Sequence, residues 1–276
     1  MDLTRALIDA VRDVSRAEIL PRFRGLSPAD IETKSGPEDL VTVADRAAED
    51  RLTERVSRLM PDAVILGEES VSAGQVGLEA LTGGGSAVVI DPIDGTWNFA
   101  RGLATFGVIL AVVDGGETTL GLLYDPVLDD WMVARRGEGA WYGRPDGVDQ
   151  PLRVRSSRPQ ADETGYMPLN LFPKEDQPAL ATLMPRFARV QGLRCSCHEY
   201  RMMAAGYVDW VMAATSNPWD HLAGRLVVTE AKGAVGTVMD SKWSAEDCGR
   251  YLLAATSSDR LSDLRHTFGQ ALVNVK

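Results

Sequence analysis

This 276-residue sequence predicts an α+β chain: helices laid on an antiparallel or mixed sheet, with a smaller α/β half following. Three observations carry that prediction. Two helical patterns stand at the front, Leu3 to Ile19 and Ala44 to Leu59. A series of apolar runs bounded by Gly, Pro and Asp comes next. Past Pro151 the pattern changes to shorter strands alternating with helices. A chain of this length buries a substantial core as one large domain or two coupled ones.

In the first segment Leu3, Leu7, Ile8, Val11, Val14 and Ile19 recur at helical spacing, and Pro21 marks the end. KSGPEDLVTVAD (34–45) reads as a polar turn leading into an extended stretch, and the second helix stops before Pro61. VILG (64–67), AVVI (87–90), GVILAVVD (107–114) and TLGLLYDP (119–126) read as strands. WMVARRGEGAWYG (131–143) reads as a further strand followed by a turn, and VSAGQVGLEALT (71–82) as a loop. Gly83–Ser86 is a flexible connection, lacking the Lys-Ser/Thr of a phosphate-binding P-loop. In the second half Pro178 to Ala188, Glu199 to Gly206 and His221 to Lys232 read as helices, the last ended by Gly233. A soft boundary near 145–155 divides the chain into an α+β half, 1–150, and an α/β half, 151–276.

A hydrophobic share of 45% and a charged share of 25% are ordinary for a globular protein. The net charge of −10 argues against direct nucleic-acid binding. It also means that a phosphorylated ligand needs cations or backbone N–H groups to offset the repulsion. The opening residues contain no apolar h-region, and no apolar stretch approaches the roughly 20 residues that span a bilayer. Cys195, Cys197 and Cys248 are too few for a disulfide framework. A cytoplasmic protein with reduced thiols and no membrane partner is the expectation.

VVIDPIDGTWNF (88–99) places Asp91 and Asp94 three positions apart after an apolar run. Taken alone, Asp-Pro and Asp-Gly are turn dipeptides, and Asp caps helices. Three neighbours favour ligation. Glu68 also follows an apolar strand, so two strands can deliver acids to one edge. Asp220 stands at the start of a helix, as a cap or as a further ligand. Thr96 directly follows Gly95, where the backbone can approach a ligand and N–H groups can meet phosphate oxygens. An all-oxygen donor set suits Mg²⁺ without any His or Cys.

GEES (67–70), DPIDGTWNF (91–99), KSGPEDLVTVAD (34–45), PWDHLAG (218–224) and YLLAATS (251–257) together resemble the inositol monophosphatase family. That family belongs to a superfamily with the fructose bisphosphatases. The resemblance implies a layered αβαβα sandwich with metals between its halves. It implies two or three Mg²⁺ ions held by Glu68, Asp91, the Ile93 carbonyl, Asp94 and Asp220. The implied reaction is hydrolysis of a phosphate monoester by metal-activated water, with Glu68, Thr96 and Asp45 catalytic. Thr96 would hold the water and Asp45 would orient or deprotonate it. Gly95 and Thr96 would receive the phosphate beside Asp94 and Asp220. Lithium sensitivity and a homodimer are also implied, and Lys34 would approach the metals.

Two stretches depart from the family pattern. Members acting on inositol phosphate carry a glutamate several residues before the Trp-Asp, where Ala213 stands in DWVMAATSNPWD (209–220). A small Gly-Ser/Thr-Ala stretch is replaced by RCSCHEYR (194–201), which gives His198, Glu199 and Arg201 reach toward a polar or second-anion-bearing substrate. Cys195, Cys197 and His198 lack a fourth ligand at zinc spacing. His221 reads as helix-start packing, and Trp97 and Phe99 as supports behind the metal loop. A 3′-phosphonucleotide, histidinol phosphate or fructose bisphosphate are the alternative substrates. A regulatory binding protein with secondary phosphatase activity is the alternative of another class.

Overall fold

The computed structural model describes residues 2–34, 36, 38–238 and 251–273. Cys248 lies outside the described residues. Helix α1 (Leu3–Val14) opens on Asp2, whose carboxylate accepts the Thr4 N–H, and buries Leu7, Ile8, Val11 and Val14. The helical path continues through a π turn, Ser15–Ile19, and a 3₁₀ turn, Leu20–Arg22. Pro21 therefore lies inside the run, in the first turn of the 3₁₀ segment, where its missing N–H costs little. Strands β1 (Ile31–Thr33) and β2 (Leu40–Thr42) pair antiparallel and lead into α2 (Val43–Leu59). Thr42 caps α2, and Asp45 reaches back to the Thr42 N–H at 2.8 Å, closing a capping box.

The larger sheet holds β3 (Val64–Gly67), β4 (Ser86–Asp94), β5 (Gly107–Asp114), β6 (Glu117–Asp125), β7 (Asp130–Arg135), β8 (Gly139–Gly143) and β9 (Gln150–Pro151), in that order. It is mixed: β3 and β4 run parallel and the other neighbours antiparallel. β3 runs directly into α3 (Glu68–Ser72), and β4 turns at Gly95 into α4 (Thr96–Ala100). Residues 131–143 form a hairpin, not one strand and a turn, because Ala140 and Trp141 pair back onto Ala134 and Val133. The 71–82 stretch is partly ordered: Val71 and Ser72 end α3, and Leu78–Leu81 form a 3₁₀ turn that buries Leu81.

The second sheet contains β10 (Thr164–Tyr166), β11 (Arg189–Gln191), β12 (Trp210–Ala213), β13 (Ala234–Thr237) and β14 (Leu252–Ala255), ordered β11-β10-β12-β14-β13. Between and after these strands come α5 (Gln177–Leu183), α6 (Ser196–Ala204), α7 (Pro218–Glu230) and α8 (Ser258–Val273). α5 is shorter than expected, since Met184–Arg186 tightens into a 3₁₀ turn around Pro185.

Side-chain alternation along the strands defines the layers. Val88, Ile90, Val108 and Leu110 face α1 and α2. Val89, Ile109, Ala111 and Leu123 face the opposite way, against α6 and α7. Val211 and Ala254 of the second sheet close on the same helices, while Trp210, Met212, Leu253 and Ala255 pack on α5 and α8. The result is the αβαβα sandwich. α7 lies tight on the larger sheet: a Cβ at Gly121 would come within 2.6 Å of the Ala223 carbonyl oxygen.

Candidate active site

Asp91 and Asp94 end β4, and regular alternation would send residues three apart to opposite faces of the sheet. The pairing with β5 shifts between them, Asp91 opposite Ile109 and Asp94 opposite Gly107, so β4 holds one extra residue. Such a bulge re-aims side chains, and here it brings both carboxylates to one side. Asp91 also accepts the Ile93 N–H at 3.1 Å. Pro92, which has no N–H to donate, sits within the bulge.

Asp220 arrives from across the interlayer space on the first turn of α7. Asn217, not Asp220, occupies the N-cap position, and its amide donates to Asp220 Oδ2 at 3.1 Å instead of capping the helix backbone. One oxygen each of Asp91, Asp94 and Asp220 lies within 4.8 Å of the others. Among the described residues this is the group of three or more His, Cys, Asp or Glu side chains that converges closely enough to hold an ion. Glu68 is the first residue of α3, at the end of β3, beside β4. Lys34 Nζ lies 2.7 Å from Glu68 Oε1 and 2.6 Å from Glu69 Oε1. Burial works against this ammonium, but the attraction of the two glutamates prevails and raises its pKa.

Burial dominates the titration of the whole cluster. It raises the Asp94 carboxyl to about 6 and holds Asp91 and Asp220 well above the usual carboxylate range, with neighbouring acids adding repulsion for the latter two. Glu68 is raised for the same reason. Crowded, buried carboxylates of this kind are stabilised in their charged form by a divalent cation. The donor set therefore fits a hard metal ion.

Thr96 Oγ1 lies 2.9 Å from the Ile93 carbonyl oxygen and 3.2 Å from Asp45 Oδ1. Asp45 is buried, which raises its pKa to about 7 against the lowering effect of Thr42. Gly95 is left-handed, with φ +86°, and a Cβ there would come within 2.9 Å of the Thr105 carbonyl. Only glycine fits that turn.

A cavity of about 190 Å³ opens beside these groups, lined by Glu68, Asp94, Gly95, Thr96, Ala213 and Asp220 among others. The α6 region enters it differently from the sequence expectation. Successive helix residues turn by about 100°, so neighbouring positions diverge. Cys195, Ser196 and Glu199 line the cavity. His198 does not; its Nε2 lies 3.0 Å from the Phe106 carbonyl oxygen, against the larger sheet. Arg201 shares that direction, donating to the Leu123 carbonyl at 2.9 Å and pairing with Asp130. Cys197 Sγ faces the Val108 and Tyr124 carbonyls while Cys195 Sγ lies 3.1 Å from Asp94 Oδ2, so the two thiols and His198 do not converge. Trp97 lines the cavity instead of supporting the loop from behind; Phe99 does lie behind it, 5.0 Å edge-on from Phe106. His221 is neutral, lowered to about 3 by burial, with Nδ1 at 3.1 Å from the Tyr200 hydroxyl.

Three supporting contacts went unrecognised in the sequence, where Glu199 reads only as a substrate-side group. Glu49 accepts the N–H groups of Glu69 and Ser70 at 2.8 Å each, fixing the start of α3. Its spacing of four from Asp45 on a predicted helix was the available signal. Asn98 Nδ2 lies 2.8 Å from both the Thr105 and Leu193 carbonyls, tying α4 to the 193–195 turn. Glu199 Oε1 accepts the Leu193 N–H at 2.8 Å from the other side.

Burial raises Glu199 to about 8. Below pH about 4.5 the carboxyl is protonated in both folded and unfolded chains. Between there and pH 8 only the unfolded chain ionises, so stability falls as pH rises. Above pH 8 the penalty is constant. Glu199→Gln should therefore match the wild type near pH 4.5 and melt higher at pH 8, by roughly 2–4 °C per kcal/mol relieved. Thermal melts across that range check this; parallel curves would mean Glu199 is ionised in the fold.

The family model for the inositol monophosphatase family matches residues 2–267. The chain belongs to that family. It is a phosphoric monoester hydrolase, as are curated relatives such as the inositol-1-monophosphatase of Bacillus subtilis, 32% identical over 208 residues, covering 75% of this chain and 76% of that protein. Nus factor SuhB of Pasteurella multocida is 36% identical over 216 residues, covering 74% of this chain and 73% of that protein. An IMPase structure from Thermotoga maritima superposes with a TM-score of 0.84 at 24% identity, covering 100% of each chain, and shares the fold.

Proposed function

We propose that this protein releases inorganic phosphate from a small-molecule phosphate monoester in a Mg²⁺-dependent reaction. The convergence of Asp91, Asp94 and Asp220 beside the Thr96–Asp45 contact carries the reading. Asp91, Asp94, Asp220, Glu68 and the Ile93 carbonyl would hold two or three ions. Bound there, Mg²⁺ supplies Lewis acidity toward the phosphate and lowers the pKa of water.

The chain's own groups do the rest. The Thr96 hydroxyl donates one hydrogen bond and keeps its lone pairs for an incoming water. As that water attacks, its proton passes to Thr96 Oγ1 while the Thr96 proton moves to Asp45 Oδ1. A base with a pKa near 7 is matched to that transfer. The N–H groups of Gly95 and Thr96 receive the phosphate, and the acid-rich walls repel it until cations neutralise them.

The test is a panel of sugar, inositol, nucleotide and amino-alcohol phosphates assayed with and without Mg²⁺. Metal-dependent phosphate release from at least one is expected, and Li⁺ should suppress it. Silence across the panel favours the alternative, a regulatory binding protein, for which the naming of the Pasteurella relative as a Nus factor is the support. The same reading takes residues 1–150 and 151–276 as two halves contributing to one site, and the protein as a cytoplasmic homodimer. Among the described residues no helix is long and apolar enough to cross a membrane.

A further inference from the structure

We propose that Arg194 selects phosphate monoesters whose alcohol part carries a second anionic group, and that Glu38 holds its guanidinium until such a group replaces it. The proposal rests on the phosphatase reading of the adjoining site and extends it to the leaving-group side.

The cavity wall is sharply divided. Glu38, Asp39, Glu68, Asp94, Glu199 and Asp220 contribute its acids, and among the described lining residues Arg194 is the cation. Ala213 and Ala214 face the space where a glutamate was expected, so that wall has no carboxylate to accept hydrogen bonds from a polyol. Affinity for the alcohol part must come from another side, and Arg194 is the group able to recognise charge there.

Its position is built, not incidental. The Arg194 guanidinium carbon lies 4.5 Å from the centre of the Trp97 ring, and the side chain is 18% exposed. Stacking on an aromatic face fixes a guanidinium plane while leaving its edge N–H groups for a ligand. The backbone is held just as firmly. Arg194 has φ +55°, a left-handed conformation that is strained for a non-glycine residue. The Asn98 amide and the Glu199 carboxyl clamp the preceding Leu193 from both sides. The Arg194 carbonyl sits against Gly95, 3.3 Å from where a Cβ would be, so the cation adjoins the phosphate-receiving turn.

Glu38 is the partner that a substrate anion can replace. It pairs with Arg194 Nη1, yet its own side chain is 57% exposed. An exposed carboxylate on a solvated arm is held weakly. A carboxylate or phosphate delivered by a substrate already anchored at the metal loop competes at high effective concentration. The exchange of one anion for another keeps the guanidinium paired throughout.

Two matched pairs test this in Mg²⁺: glycerol 3-phosphate against 3-phosphoglycerate, and fructose 1-phosphate against fructose 1,6-bisphosphate. The wild type should favour the doubly anionic member of at least one pair by about tenfold in kcat/KM, the worth of one charge-assisted contact. The pair that responds tells whether a carboxylate or a phosphate is recognised. Arg194→Ala should collapse that ratio, Arg194→Lys should retain part of it, and Glu38→Gln should widen it. Raising the salt should narrow it, since the pair is partly exposed. Thermal shifts with the same four esters read binding without turnover. A binding preference that vanishes in Arg194→Ala supports the proposal even if no ester is hydrolysed, which would sink the phosphatase reading alone. Equal losses for both members of each pair, or no preference in the wild type by either readout, would overturn it.

Discussion

Asp94→Asn should cost well over a hundredfold in Mg²⁺-dependent phosphate release while leaving the fold intact. Changing a group that merely supports a metal ligand typically costs about 10–100-fold, and Asp94 is placed to be a ligand itself. The amide keeps the shape, and its oxygen can still accept the Cys197 N–H that Asp94 Oδ2 accepts now. The metal-free variant should melt no lower than the wild type, because a buried carboxylate among other carboxylates has been neutralised. Calorimetric Mg²⁺ titration beside the activity assay separates lost ion binding from lost chemistry. Activity close to that of the wild type at moderate Mg²⁺ would end the assignment of this cluster as the metal site.

Gly121→Ala is the second change with a large expected effect, and its route is mechanical. The new methyl would meet the Ala223 carbonyl oxygen at 2.6 Å and its Cα at 2.9 Å, both backbone atoms of α7. No side chain can swing aside, so the helix must lift from the sheet. Overpacking of this kind costs about 1–3 kcal/mol, and a backbone clash belongs at the upper end. Asp220 lies three residues before Ala223 on the same helix, so Mg²⁺ affinity should weaken together with the melting temperature. Denaturant unfolding with and without Mg²⁺ checks both effects. Unchanged stability would mean that α7 is free to shift, and that Asp220 is positioned by something other than this contact.

Much of this architecture could be read from residue order. The apolar runs at 64–67, 87–90 and 107–114 became strands because their length and flanking turns leave little else. Glu68, Asp91, Asp94 and Asp220 stand out in the sequence because each lies at or near a strand end or a helix start, where local pattern and position coincide. What escaped was rotational phase. α6 begins at Ser196, and its orientation is set by Cys197 seating against Gly107, where a Cβ would come within 2.9 Å of the Cys197 Cβ. That contact, ninety residues away in sequence, decides that Glu199 meets the cavity and that His198 and Arg201 do not. Arg194 escaped for another reason: arginine carries no preference for the left-handed backbone that its turn requires. The helix α8 passed unmarked although Leu261, Leu264, Phe268 and Leu272 keep helical spacing and are buried together.

The bulge in β4 has a consequence for how this site can change over evolutionary time. Substitutions near Asp91 and Asp94 are graded, since each alters one side chain. Loss of a single residue between them is a different kind of event, because the strand would then pair in step with β5. Asp94 would still share the face of Asp91, now two residues on, but the bulged backbone whose Ile93 N–H meets Asp91 and whose Ile93 carbonyl meets the Thr96 hydroxyl would be lost. The centre is therefore encoded as a count as much as a composition. Insertions and deletions at 92–93 should be purged more strictly than any replacement there.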